Sequence, residues 1–98
     1  MPTNKKVTER DIEKQLRLRI AVLGGKAYKF SSPGNSGVPD RIVLIRGKCY
    51  FVELKRPGQD LSPRQRAVKR DFEKLGFEVY RLDSLEDVDK FLKEVMPK

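Results

Sequence analysis

The chain has 98 residues and a formal net charge of +8, with one cysteine and no histidine at all. A single cysteine excludes an internal disulfide and a cysteine-built zinc site; without imidazole, acid–base work at neutral pH falls to carboxylates, lysine or metal-bound water. The length makes one domain, 1–98, whose modest core a homodimer interface would enlarge, and no apolar run is long enough to span a membrane.

Thr8, followed three residues later by Asp11, predicts a helix start, and Ile12, Leu16, Ile20 and Leu23 then recur at helical spacing up to Gly24-Gly25. Tyr28 and Phe30 flank Lys29 in a short strand. Ser31 to Pro39, with its glycines, prolines, serines and Asn35, reads as a loop. Asp40 to Arg46 and Cys49 to Lys55 are apolar runs joined by Gly47-Lys48, which predicts a β-hairpin. Ser62, Pro63 and Gln65 start a second helix that ends at Leu75-Gly76. Phe77 to Leu82 follows as a strand, and Ser84 to Met96 as an amphipathic helix with Leu85, Val88, Leu92 and Val95 inward. The order is αβββαβα, and a strand that returns after a helix implies a mixed sheet with helices flanking it.

Glu53 and Lys55 stand two apart on one strand, so both leave the same face, together with Cys49 and Phe51; Tyr50, Val52 and Leu54 point the other way. Two charges at the end of an apolar strand face are costly unless they are paired, exposed or binding something. If the two long strands form a hairpin, Asp40 meets Glu53 and Lys55 at one edge of the sheet. Two carboxylates offer hard oxygen ligands to Mg²⁺, the Leu54 backbone carbonyl can complete the set, and a lysine beside them can orient water or act as its base. That grouping suits hydrolysis of a phosphodiester.

The motifs Gly37-Val38-Pro39-Asp40, Phe51-Val52-Glu53-Leu54-Lys55, Leu61-Ser62-Pro63-Arg64-Gln65 and Leu75-Gly76 resemble the PD-(D/E)XK nuclease superfamily, and within it the stand-alone VRR-NUC (virus-type replication-repair nuclease) branch of phages and bacteria. The resemblance runs from about Glu9 to Leu82. It implies an α/β, restriction-endonuclease-like αβββαβ core, extended here by a last helix, and Mg²⁺- or Mn²⁺-dependent, structure-selective cleavage of DNA. Stand-alone members are similar to dimeric Holliday-junction resolving enzymes. The implied setting is the cytoplasm of a bacterial or phage-infected cell. By the same resemblance Asp40 and Glu53 are metal ligands, Lys55 is the catalytic lysine, and Glu9 supports the metal site from the first helix, where Glu13, one turn on, is the alternative. Gln65 matches the family's glutamine near the metal, and its place three residues after Ser62 equally suits a helix cap.

Residues 1–56 carry 13 Lys/Arg against 5 Asp/Glu, or +8, while residues 57–98 carry 9 of each, or zero. The basic half is the one that would face phosphates. Lys26, Lys29, Arg41, Lys48, Arg56, Arg64, Arg66, Lys69 and Arg70 are candidate phosphate contacts, joined by Ser31, Ser32, Asn35 and Ser36 in the loop before Asp40. No row of exposed aromatics suggests base stacking, so selectivity is expected to rest on DNA shape. No nucleotide cofactor or membrane partner is expected. Cleavage of flaps, nicked or single-stranded DNA, and metal-independent DNA binding without catalysis, are the alternatives to junction cleavage. The final helix, rich in acid, is expected to cover the other side of the sheet.

Overall fold

Thr8 and Asp11 cap one another at the start of helix α1 (Glu9–Val22): the Asp11 amide donates to Thr8 Oγ1 at 3.2 Å, and the Thr8 amide to Asp11 Oδ2 at 2.9 Å. Ile12, Leu16 and Ile20 form its fully buried stripe, and each such side chain contributes about 1.5–3 kcal/mol through removal from water. The computed structural model describes residues 6–96. After α1 come β1 (Lys26–Lys29), β2 (Arg41–Ile45), β3 (Lys48–Leu54), α2 (Pro63–Lys74), β4 (Val79–Leu82) and α3 (Leu85–Val95), the expected order.

The four strands form one sheet in the order β1-β2-β3-β4. β1 and β2, and β2 and β3, pair antiparallel, whereas β3 and β4 pair parallel across α2, so the sheet is mixed as expected. The hairpin turn lies one residue earlier than the sequence suggests. Arg46 (φ 54°) and Gly47 (φ 74°) are its two central residues, both left-handed as a type I′ turn requires, and Lys48 is already in β3 opposite Ile45.

α1 and α3 pack together on one face of the sheet, enclosing Val43, Ile45, Val52, Leu54 and Leu82. Two corrections apply at this end of the chain. Phe91 belongs to the core, where it meets the Tyr50 and Tyr80 rings edge-on at 5.8 and 4.9 Å, while Leu85, in the first turn of α3, is 36% exposed at the margin of the buried stripe. β4 also starts at Val79 rather than Phe77, because the Phe77 amide closes the end of α2 by donating to the Phe72 carbonyl at 2.9 Å.

α2 lies on the opposite face and has no fully buried residue. It is held by Phe72 and the following Phe77, which pack edge-on against Phe51 of β3 at 4.9 and 5.8 Å, and by Lys69 Nζ, which donates to the Val79 carbonyl at 2.8 Å. The strand face that carries Phe51 continues to Glu53 and Lys55, so these two charges end up on the α2 side of the sheet.

Candidate metal and phosphodiester site

The β2–β3 register pairs Arg41 with Val52, and continuing it by two residues sets Asp40 beside Glu53 and Pro39 beside Leu54. Pro39 has no N–H to extend the ladder. The Leu54 amide is bound by the Asp40 side chain, with Oδ2 accepting it at 2.9 Å. This bond fixes the Asp40 carboxyl at the end of the hairpin. N–H and C=O of one strand residue leave on the same side, so the Leu54 carbonyl also faces the Asp40 edge, where Pro39 offers it no donor.

Glu53 is 2% exposed and Lys55 is 9% exposed, the only buried charged residues among those described. Glu53 Oε1 is buried and has no hydrogen-bond partner. Burial, and next the neighbouring Asp40 carboxyl, push the Glu53 carboxyl up to about 8, with Lys55 pulling the other way. Two neighbouring carboxyls, one of them buried with an orphaned oxygen and the other facing a cavity, form a site that a cation would satisfy.

The donor set fits Mg²⁺ or Mn²⁺. Asp40, Glu53 and the Leu54 carbonyl are hard oxygens, and Mg²⁺ is commonly held by one or two carboxylates while keeping several waters. No group of three acidic, cysteine or histidine side chains forms a cation cage among the described residues, so Glu9 does not close around the pair. Glu9 lines a cavity of about 400 Å³ with Asp40, Arg41, Lys29, Phe30 and Ser31, which places it across a cleft from Asp40. Glu13 is engaged elsewhere: its Oε2 accepts from Arg41 at 2.8 Å and from Arg17 at 3.1 Å.

Gln65 completes a capping box at the start of α2. Its Oε1 accepts the Ser62 amide at 2.9 Å, and its own amide donates to Ser62 Oγ at 3.1 Å. Several of the predicted phosphate contacts have partners within the protein. Arg41 is half-buried between Glu13 and the Ala27 carbonyl, which accepts from it at 3.2 Å. Arg64 Nε donates to the Ser36 carbonyl and hydroxyl at 3.1 and 3.2 Å, tying α2 to the loop before Asp40. Ser32 Oγ accepts from Asn35 within that loop, and Lys26 lies over the Tyr28 ring. Lys29, Ser31 and Arg56 remain exposed.

Arg81 has no counterpart among the residues expected from sequence. It is the β4 neighbour of Glu53 in the parallel register, and its Nη2 donates to the Gln59 carbonyl at 2.6 Å and to Asp83 at 3.1 Å. Asp83 also accepts the Gly58 amide at 3.2 Å, so the two residues fasten the turn that leads from Lys55 to Gln65. Alternation along β4 was the only signal for Arg81, and it does not reveal which β3 residue lies alongside.

No protein-family model matches the chain. It is 43% identical over 90 residues to "Putative nuclease p44" of Acyrthosiphon pisum secondary endosymbiont phage 1, the match covering 91% of this chain and 96% of that protein. Among solved structures, one named "VRR_NUC domain" superposes with a TM-score of 0.82 at 33% identity, covering 92% of this chain and all of the other. A second, "VRR_NUC domain protein", has a TM-score of 0.71 at 16% identity over 91% of this chain and 88% of its own, a likeness of fold.

Proposed function

The chain belongs to the VRR-NUC family of nucleases, and on that premise we propose that it is a divalent-metal-dependent endodeoxyribonuclease that hydrolyses phosphodiester bonds in branched DNA. The observation that carries this reading is the buried Glu53 carboxyl, its Oε1 without a partner, set beside Asp40 and on the same strand face as Lys55. Asp40, Glu53 and the Leu54 carbonyl would hold Mg²⁺ or Mn²⁺. When bound, the ion supplies Lewis-acid stabilisation of charge on the phosphate and makes water more acidic.

The protein's own contributions follow from what holds each group. The Leu54 amide fixes Asp40 in position before substrate arrives, so no ordering cost falls on the reaction. Lys55, two residues beyond Glu53, donates to the attacking water or to a phosphate oxygen. Water oxygen bonds to phosphorus as the water gives up a proton to solvent, one phosphorus–oxygen ester bond breaks, and the departing alkoxide takes up a proton from solvent. Glu9, across the cleft, supports the acidic cluster, since Glu13 is already bound to Arg41. Gln65 gives its carbonyl to the Ser62 cap, and its NH₂ group is the part left to serve the site.

Four-way junctions cut by a two-fold homodimer are the substrate that best suits this small, shape-reading domain, because an isologous pair would set one site on each of two opposed strands. The test is cleavage of a panel of junction, flap, nicked and single-stranded DNA with Mg²⁺ or Mn²⁺, with the mass of the protein measured in solution. Junction cleavage that a chelator abolishes, and that Lys55→Ala lowers by roughly 10²–10⁴-fold, is expected. Wild-type protein that leaves every substrate uncut with either metal would sink the reading.

A further inference from the structure

Five of the ten arginines have an acidic partner. Arg17 and Arg41 bind Glu13, Arg19 binds Asp89, Arg66 approaches Asp60, and Arg81 binds Asp83. Lys6, Arg10 and Arg56 have no acidic partner among the described residues, although 14 acidic residues are present in the chain. These three cations nevertheless converge. They line one cleft of about 780 Å³, with Val7, Thr8, Glu9 and Pro57, between the start of α1 and the end of β3.

Like charges brought together without a counter-charge raise the local potential, and a cleft with low-dielectric walls focuses it. Three cations against the single Glu9 carboxylate leave this cleft positive. Its position gives the charge a purpose. Arg56 directly follows Lys55, and Glu9 is shared with the neighbouring cavity that contains Asp40, so the cationic cleft opens beside the acidic site. That second cavity also holds Lys29 and Ser31.

We propose that the Lys6–Arg10–Arg56 cleft is a phosphate-binding subsite that holds the DNA backbone to one side of the bond being cut. The subsite rests on the nuclease reading for its place in the reaction, and on its own geometry for binding phosphate. It recognises charge and spacing rather than base identity, with Lys6 supplied by the approach to α1 and Arg10 by its first turn.

The test measures binding of the full chain to fluorescently labelled nicked duplex DNA in Ca²⁺ across a salt series, alongside cleavage in Mn²⁺. Lys6→Ala/Arg10→Ala should weaken binding about tenfold or more and reduce the slope of log affinity against log salt by about 1.8, the value for two lost phosphate contacts. Lys74→Ala/Lys90→Ala removes the same charge elsewhere and should leave affinity and slope near wild type. Lys6→Arg/Arg10→Lys, which preserves charge, should retain most of the affinity. The subsite is overturned if Lys6→Ala/Arg10→Ala binds with wild-type affinity and slope, or if both alanine pairs weaken binding equally. Wild-type protein that shows the expected slopes but cuts nothing would instead refute the nuclease reading and leave the phosphate cleft in place.

Discussion

The Asp40 carboxylate accepts the Leu54 amide at 2.9 Å, while Pro39, opposite Leu54, has no N–H to give the Leu54 carbonyl. One bond thereby ends the β2–β3 ladder and aims an acid at Glu53. Asp40→Asn keeps an oxygen for the Leu54 amide and should melt within a few degrees of wild type, yet cut DNA at least about 100-fold more slowly through loss of the charge. Asp40→Ala should lose the same activity and in addition about 1–2 kcal/mol of stability, measured by urea unfolding. Equal stability for the two variants would remove the bond from this account.

Glu53 makes the metal-free protein sensitive to alkali. Its carboxyl is near 8 in the folded chain and near 4.5 in an ordinary setting, so between those values the folded state binds more protons than the unfolded state. Stability is therefore fully present below about pH 4.5 and is lost as pH rises through about 8. With chelator present, the unfolding free energy of wild type from urea titration should fall by up to a few kcal/mol between about pH 5 and 8, while that of Glu53→Gln should stay level. Mg²⁺ should restore wild type at the alkaline end through preferential binding to the folded state. A wild-type midpoint that does not move with pH would contradict this.

Glu9 and Glu13 are separable by their partners. Removing Glu13 strands the half-buried Arg41, so Glu13→Ala should cost about 1–3 kcal/mol of stability. Glu9→Gln should leave the melting temperature within about 1 °C of wild type and raise the metal concentration needed for half-maximal cleavage. The two variants exchanging these effects would reassign the supporting acid to Glu13.

Gly37 is needed where it stands. Its φ is +86°, and a Cβ there would lie 2.9 Å from Arg64 Cγ and 3.1 Å from the Arg64 carbonyl. Gly37→Ala should therefore destabilise the protein by about 1–3 kcal/mol and loosen the loop that delivers Asp40. Urea unfolding and the metal dependence of cleavage would both record the change; an unaltered midpoint would mean that the loop and α2 can separate freely.

Much of this protein was legible in its chain because local physics decided it. Thr8 with Asp11 and Ser62 with Gln65 are capping pairs that close over three residues, so both helix starts could be read without a partner element. The two-residue alternation put Glu53 and Lys55 on one face, and the hairpin brought Asp40 to them. Where several local choices were nearly equal, tertiary contacts settled the result: the turn moved to Arg46-Gly47, Phe77 stayed with the end of α2, and Phe91 displaced Leu85 from the core. Burial of Glu53, the pairing of Arg41 with Glu13, the place of Arg81 beside Glu53 and the meeting of Lys6 and Arg10 with Arg56 were decided only by the fold. Each depends on which segments far apart in the chain become neighbours, and a charge has its environment, and so its chemistry, only once those neighbours are in place.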